Sequence, residues 1–174
     1  MRKTMLGAVT LHKGHWLGLA LVLVTIVLDQ YTKTLASSTL TYGEPVYVTS
    51  FLNWTLLHNP GAAFSFLSDQ GGWQRWFFTV VAAVVSVVLA VWIARLPHNK
   101  LWELSALALV LGGAVGNLID RVLLGYVVDF ISMHYQQHFW PAFNIADSAI
   151  CAGVAMLIID MFRSGSSKTQ EGSV

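Results

Sequence analysis

Four stretches of the chain are each long and apolar enough to cross a lipid bilayer, and no other feature narrows the fold as much. A helix that spans the hydrocarbon core needs about 20 mostly apolar residues, and residues 15–36, 73–96, 101–122 and 142–162 meet that need. With 55% hydrophobic and 11% charged residues, against roughly a quarter charged in a soluble domain, the chain has too little polar surface to hide four such segments from water. The fold class expected is an all-α membrane protein, a four-transmembrane-helix bundle forming one domain over residues 1–163, followed by a disordered polar tail over 164–174.

Short loops rich in Lys and Arg stay on the cytoplasmic side. Placing both termini there puts Arg2, Lys3, Lys13, Arg95, Lys100, Arg163 and Lys168 inside and leaves Lys33, Arg75 and Arg121 outside. The outer face then receives the two longer connections, residues 37–72 and 123–141. The first holds Val46, Tyr47, Val48, Thr49, Phe51, Trp54 and Thr55 between Gly43, Pro45 and Asn59-Pro60-Gly61, the composition of strands between turns, so a small β-rich outer segment is expected at the membrane interface. Net charge +1 excludes a nucleic-acid partner, which would need a basic stripe. The single cysteine, Cys151, excludes an internal disulfide and a multi-cysteine metal site.

Ionisable residues are expensive in a bilayer, so each one near a span asks for a partner or a purpose. Asp29 and Lys33 are one helical turn apart, which suits an ion pair as well as a site. Asn117, Asp120 and Arg121 share a face just after the small residues Gly112, Gly113 and Gly116, a pattern that reads as a polar clamp between helices more than as chemistry. Asp129 lies nine residues past Asp120, on the opposite face of any continuous helix, in the apolar run Tyr126 to Phe130. Without a cation nearby in sequence, its carboxyl should hold its proton to unusually high pH, as a general acid does. Asp147 starts the fourth span between Asn144 and Ser148. His58, His134 and His138 lack tight ligand spacing, so no metal is expected. A Ser–Lys pair built on Lys33 would compete with Asp29. At this level a peptidase, a proton- or ion-coupled transporter with a relay of Asp29, Asp120 and Asp147, and a non-catalytic scaffold all remain open.

Five blocks in order narrow the choice: Asp29-Gln30-Tyr31-Thr32-Lys33, His58-Asn59-Pro60-Gly61-Ala62-Ala63-Phe64-Ser65, Gly116-Asn117-Leu118-Ile119-Asp120-Arg121, Val127-Val128-Asp129-Phe130 and Phe143-Asn144-Ile145-Ala146-Asp147-Ser148. Together they resemble bacterial lipoprotein signal peptidase, signal peptidase II. The resemblance implies an aspartic endopeptidase of the bacterial cytoplasmic (inner) membrane that needs no cofactor. Its implied substrates are prolipoproteins already carrying a diacylglyceryl group on the cysteine after the cut, with membrane lipid as the other partner and a monomer as the acting form. It implies Asp129 and Asp147 as the catalytic pair near the outer face, with Asp120 outside that pair. Asp29, Lys33, Asn59, Gly112, Asn117, Asp120, Arg121, Asn144 and Ala146 are implied to line or support the site. Because the resemblance uses Asp29 and Lys33, the basic and apolar N-terminal run is expected to stay as an uncleaved helix.

Overall fold

A computed structural model describes residues 13–61 and 73–171; the expectations for Arg2 and Lys3 and for Ala62 to Ser65 lie outside them. In chain order the elements are α1 (Lys13–Thr39), β1 (Val46–Thr49), β2 (Leu52–Asn59), α2 (Trp73–Arg95), α3 (Leu101–Leu123), β3 (Val127–Tyr135), β4 (His138–Phe139) and α4 (Ile145–Glu171). All four helices carry a segment long and apolar enough to cross a membrane.

The helices are apolar outward; inward, α1 is small and polar, while Leu89, Leu104 and Leu107 form an apolar core between α2 and α3. The buried residues of α1 are Gly14, His15, Gly18, Thr25, Asp29, Lys33 and Ala36, a stripe at helical spacing, while Leu19, Leu23 and Val27 are exposed. Lipid rewards no burial of leucine, so helices in it associate through close packing and hydrogen bonds. The central helix is α3, which packs against the other three. A Cβ on Gly113 would collide with the Ala146 carbonyl oxygen of α4, and one on Gly112 would lie 2.7 Å from Thr25 Cβ of α1. Only glycine lets both neighbours approach this closely.

The sheet caps one end of the bundle. It is antiparallel, in the order β1-β2-β3-β4, so β2 pairs with a strand separated from it by two whole helices. An irregularity in β2 between Trp54 and Leu57 interrupts that pairing. There β3 turns its hydrogen bonds to the chain entering α4: Phe130 and Ile131 N–H donate to the Phe143 carbonyl, and Phe143 N–H donates back to Ile131. The start of α4 is thereby stitched to β3 beside Asp129.

Residues 123–141 are largely strand, because Val127, Val128, Asp129 and Ile131 find an edge of β2 to pair with. Two expectations are corrected in detail. The last helix begins at Ile145 and not near residue 142, since Asn144 caps it (below). That helix also continues to Glu171, through residues expected to be disordered; extending a formed helix adds one hydrogen bond per residue with no new nucleation cost.

Candidate active site

Where α1, α3, β3 and the start of α4 meet at the sheet end, four acids, two cations and three asparagines converge. Asp147 occupies the first turn of α4. Asn144 Oδ1 accepts from the Asp147 N–H at 2.9 Å, and Asp147 Oδ2 accepts from the Asn144 N–H at 3.2 Å. This is a reciprocal capping box, so the carboxylate is fixed by the same bonds that start the helix. The next N–H of that end, on Ala146, donates to Asp29 Oδ1 at 2.9 Å. Carboxylates at a helix N-terminus meet its exposed donors and the positive end of its dipole.

Asp129 lies on β3, 3% exposed. Its Oδ1 accepts from Asn144 Nδ2 at 2.8 Å and its Oδ2 from Asn59 Nδ2 at 3.0 Å. Asn144 therefore touches both aspartates, Asp129 with its side chain and Asp147 with its backbone and its cap. Burial, and then the negative charge of Asp147, raise the Asp129 carboxyl to about 7, against the opposing pull of Asn59, Asn144 and Lys33. The sequence expectation of a proton-retaining Asp129 agrees with this direction, and burial is the larger cause.

Each asparagine has its amide oxygen held by an obligatory donor, which turns its NH2 toward the acids. Asn59 Oδ1 accepts from Gly61 N–H at 2.9 Å, where Gly61 takes φ +105°. Asn144 Oδ1 accepts from the helix end. Asn117 Oδ1 accepts from Lys33 Nζ at 2.9 Å, and its Nδ2 donates to Asp147 Oδ1 at 2.8 Å. The two aspartates thus accept from side-chain amides that carry no charge.

Behind them lies a buried ion cluster. Lys33 Nζ stands 2.8 Å from Asp29 Oδ2 and 3.0 Å from Asp120 Oδ2. The pair read from the sequence as Asp29 with Lys33 is a triad, with its third member supplied by α3. Asp120 Oδ2 also accepts from Val128 N–H, tying β3 to α3. Gln30, a residue of the first block that is not among the expected site residues, donates to Asp29, Asp120 and the Gly116 carbonyl; its place beside an acid in a span is the available signal. Arg121 donates to the Asn117 carbonyl at 3.3 Å and lies over the Phe78 ring, while its buried Nε has no partner among the described residues. Gly112 and Ala146 act by packing: both are buried between helices.

Asp147 and Asn59 open onto an apolar groove of about 930 Å³ whose walls include Phe51, Phe139, Trp140 and Cys151. On the other side of the ion cluster, exposed Thr34, Ser37 and Ser38 rim a smaller pocket of about 370 Å³ whose lining includes Lys33, Gln30 and Asp120. The three histidines weighed for metal do not converge: His58 stacks on Tyr126 at 4.0 Å, His134 stacks on Phe139, and His138 pairs with Tyr135 in the hairpin.

Known proteins resemble this chain along most of its length. The family model described as signal peptidase (SPase) II matches residues 21–163. A lipoprotein signal peptidase of Acinetobacter baumannii is 60% identical over 151 residues, 87% of this chain and 85% of the relative. One of Teredinibacter turnerae is 62% identical over 145 residues, covering 83% and 85%. One of Pseudomonas putida is 54% identical over 155 residues, covering 88% and 90%. A solved structure described as a bacterial membrane enzyme superposes with TM-score 0.77 at 34% identity, over 87% of this chain and 90% of that one.

Proposed function

The chain belongs to the signal peptidase II family of lipoprotein signal peptidases, and we propose that it is an aspartic endopeptidase cutting with Asp129 and Asp147. The observation that carries this reading is the bridging of the two carboxylates by Asn144 while Asp129 is raised to about 7. Two carboxylates held close share one proton. The buried Asp129 keeps it, and Asp147, at the helix end, is the base. Asp147 takes a proton from water as that water attacks the scissile carbonyl carbon, and Asp129 gives its proton to the carbonyl oxygen. Collapse of the tetrahedral intermediate returns that proton to Asp129, while the one on Asp147 passes to the departing amine. The products are a free carboxyl and a free amine, and no metal or covalent intermediate enters.

The substrates we propose are prolipoproteins with a diacylglyceryl cysteine, cut before that cysteine by a monomer in the bacterial inner membrane. Both termini lie in the cytoplasm and the site lies at the outer face. The groove beside Asp147 is apolar and, at about 930 Å³, takes the signal-peptide segment next to the cut, with acyl chains passing into lipid along α4. Arg121, with donors to spare, meets a substrate carbonyl. A transport relay would need acids spread through the membrane depth, whereas Asp29, Asp120, Asp129 and Asp147 are gathered at one end.

The test is cleavage of a purified diacylglyceryl-modified prolipoprotein with a chelator present. Wild type is expected to cut, and Asp129→Asn and Asp147→Asn to be inactive while melting cooperatively in detergent. Cleavage by both variants at the wild-type rate overturns the assignment.

A further inference from the structure

We propose that Lys33 is a positioning residue: by holding the amide oxygen of Asn117, its ammonium turns the Asn117 NH2 onto Asp147 and so keeps Asp147 as the base of the pair. The inference rests on the aspartic reading above and concerns a residue that touches neither aspartate of the pair.

The argument is one of donors and acceptors. An ammonium has three hydrogens to give and no lone pair to receive with. Here all three are committed, to Asp29 Oδ2, Asp120 Oδ2 and Asn117 Oδ1, at 2.8, 3.0 and 2.9 Å. The Lys33 side chain is 3% exposed, so these bonds are shielded from bulk water. An Asn117 turned the other way would set NH2 against NH3+ and carboxamide oxygen against the Asp147 carboxylate, two repulsive contacts in place of two short bonds. Asn117 therefore has one orientation, which Lys33 sets from α1 with the shorter of two donations to its oxygen, the other coming from Asn144 Nδ2 at 3.2 Å. The other two amides are held by backbone N–H groups that no side-chain replacement removes. Asn117 alone depends on side-chain donors, of which Lys33 is the charged one, and it alone serves Asp147 with a side-chain amide.

The smaller pocket makes this testable. It reaches Lys33 from exposed Thr34, Ser37 and Ser38, on the side away from the apolar groove. Replacing Lys33 by alanine removes three carbons and the nitrogen, the outline of propylammonium, at a place that a dissolved amine can enter without displacing substrate.

Lys33→Ala is expected to lower kcat by about 10- to 100-fold, the worth of a hydrogen bond to a charged group, with KM changed less than about threefold. Propylammonium should restore at least about tenfold of that kcat with saturation, and propanol should restore nothing. A wild-type kcat in Lys33→Ala, or a loss that the amine does not reverse in protein that melts like wild type, overturns the proposal. If Lys33→Ala fails to fold, the triple variant Asp29→Asn, Lys33→Met, Asp120→Asn removes the charges together; it should show the same kcat loss, and a wild-type kcat there refutes the proposal equally. Cleavage by Asp147→Asn alongside would instead refute the aspartic reading, whatever Lys33→Ala does.

Discussion

Asn59→Ala should move the alkaline limb of the activity profile upward. Asn59 donates to Asp129 Oδ2 at 3.0 Å, and that donation favours the ionised carboxylate, opposing the burial and the Asp147 charge that raise Asp129 to about 7. Activity needs the proton on the pair, so kcat/KM for wild type should fall with unit slope as pH rises through this region. A hydrogen bond to a charged group contributes about 1.5–3 kcal/mol, and one pH unit corresponds to about 1.4 kcal/mol, so its loss should carry the limb to about pH 8–9. The limb belongs to the coupled pair and not to one residue. It does not belong to His58, the neighbour of Asn59, because burial lowers the imidazole and so moves it away from the limb. The assay is kcat/KM on a fluorogenic lipopeptide in detergent, which reports the free enzyme. A limb that stays at its wild-type position, or moves to lower pH, refutes the reasoning. The same elevated carboxyl has a stability signature of definite sign. Between about pH 4 and 7 the native protein keeps a proton that the unfolded chain has released, so this contribution to stability is lost as pH rises through that window.

Two further outcomes follow from packing. A Cβ on Gly116 would stand 2.6 Å from Asp29 Oδ2, an atom already held by Lys33, whereas one on Gly18 would meet nothing within 4 Å. Gly116→Ala should therefore cost about 1–3 kcal/mol, read as a lower Tm in detergent, while Gly18→Ala gains helix propensity and holds or raises it; equal Tm values for the two would contradict the close approach. Cys151 lies one helical turn beyond Asp147 on the groove wall, so labelling it with a bulky maleimide should abolish cleavage and Cys151→Ala should be immune. Full activity after complete labelling would show that substrate does not run along α4.

Hydropathy alone located the spans, because in lipid the outward face of every helix must be apolar and the run is therefore continuous. The first strand pair was also legible, from β-branched and aromatic residues between turn formers. What the sequence hid were partnerships across distance. Val127 to Ile131 carry the same strand composition, yet their pairing partner lies about 70 residues earlier, so only an apolar stretch was visible. Asp29 and Lys33 announced themselves by spacing, but Asp120 joins them only through the docking of α3 on α1. The start of α4 was readable and was missed: Asn144-x-x-Asp147 is a capping-box spacing, and it marks the boundary three residues inside the expected span.

The buried triad also bears on how the chain enters the bilayer. As each helix leaves the insertion machinery alone, α1 carries Asp29 one turn from Lys33 and α3 carries Asp120 next to Arg121, so each of these charges has an opposite charge nearby in its own segment. Each can thus be threaded into lipid without a naked charge, at a cost far below that of an isolated ion. Once the two lie side by side, Lys33 reaches Asp120 while keeping Asp29, and Arg121 is left without a carboxylate within ion-pair distance among the described residues. Docking of the helices thus gives the Lys33 ammonium its second carboxylate, and the charges that α1 and α3 carry into lipid are shared across one interface only in the finished molecule.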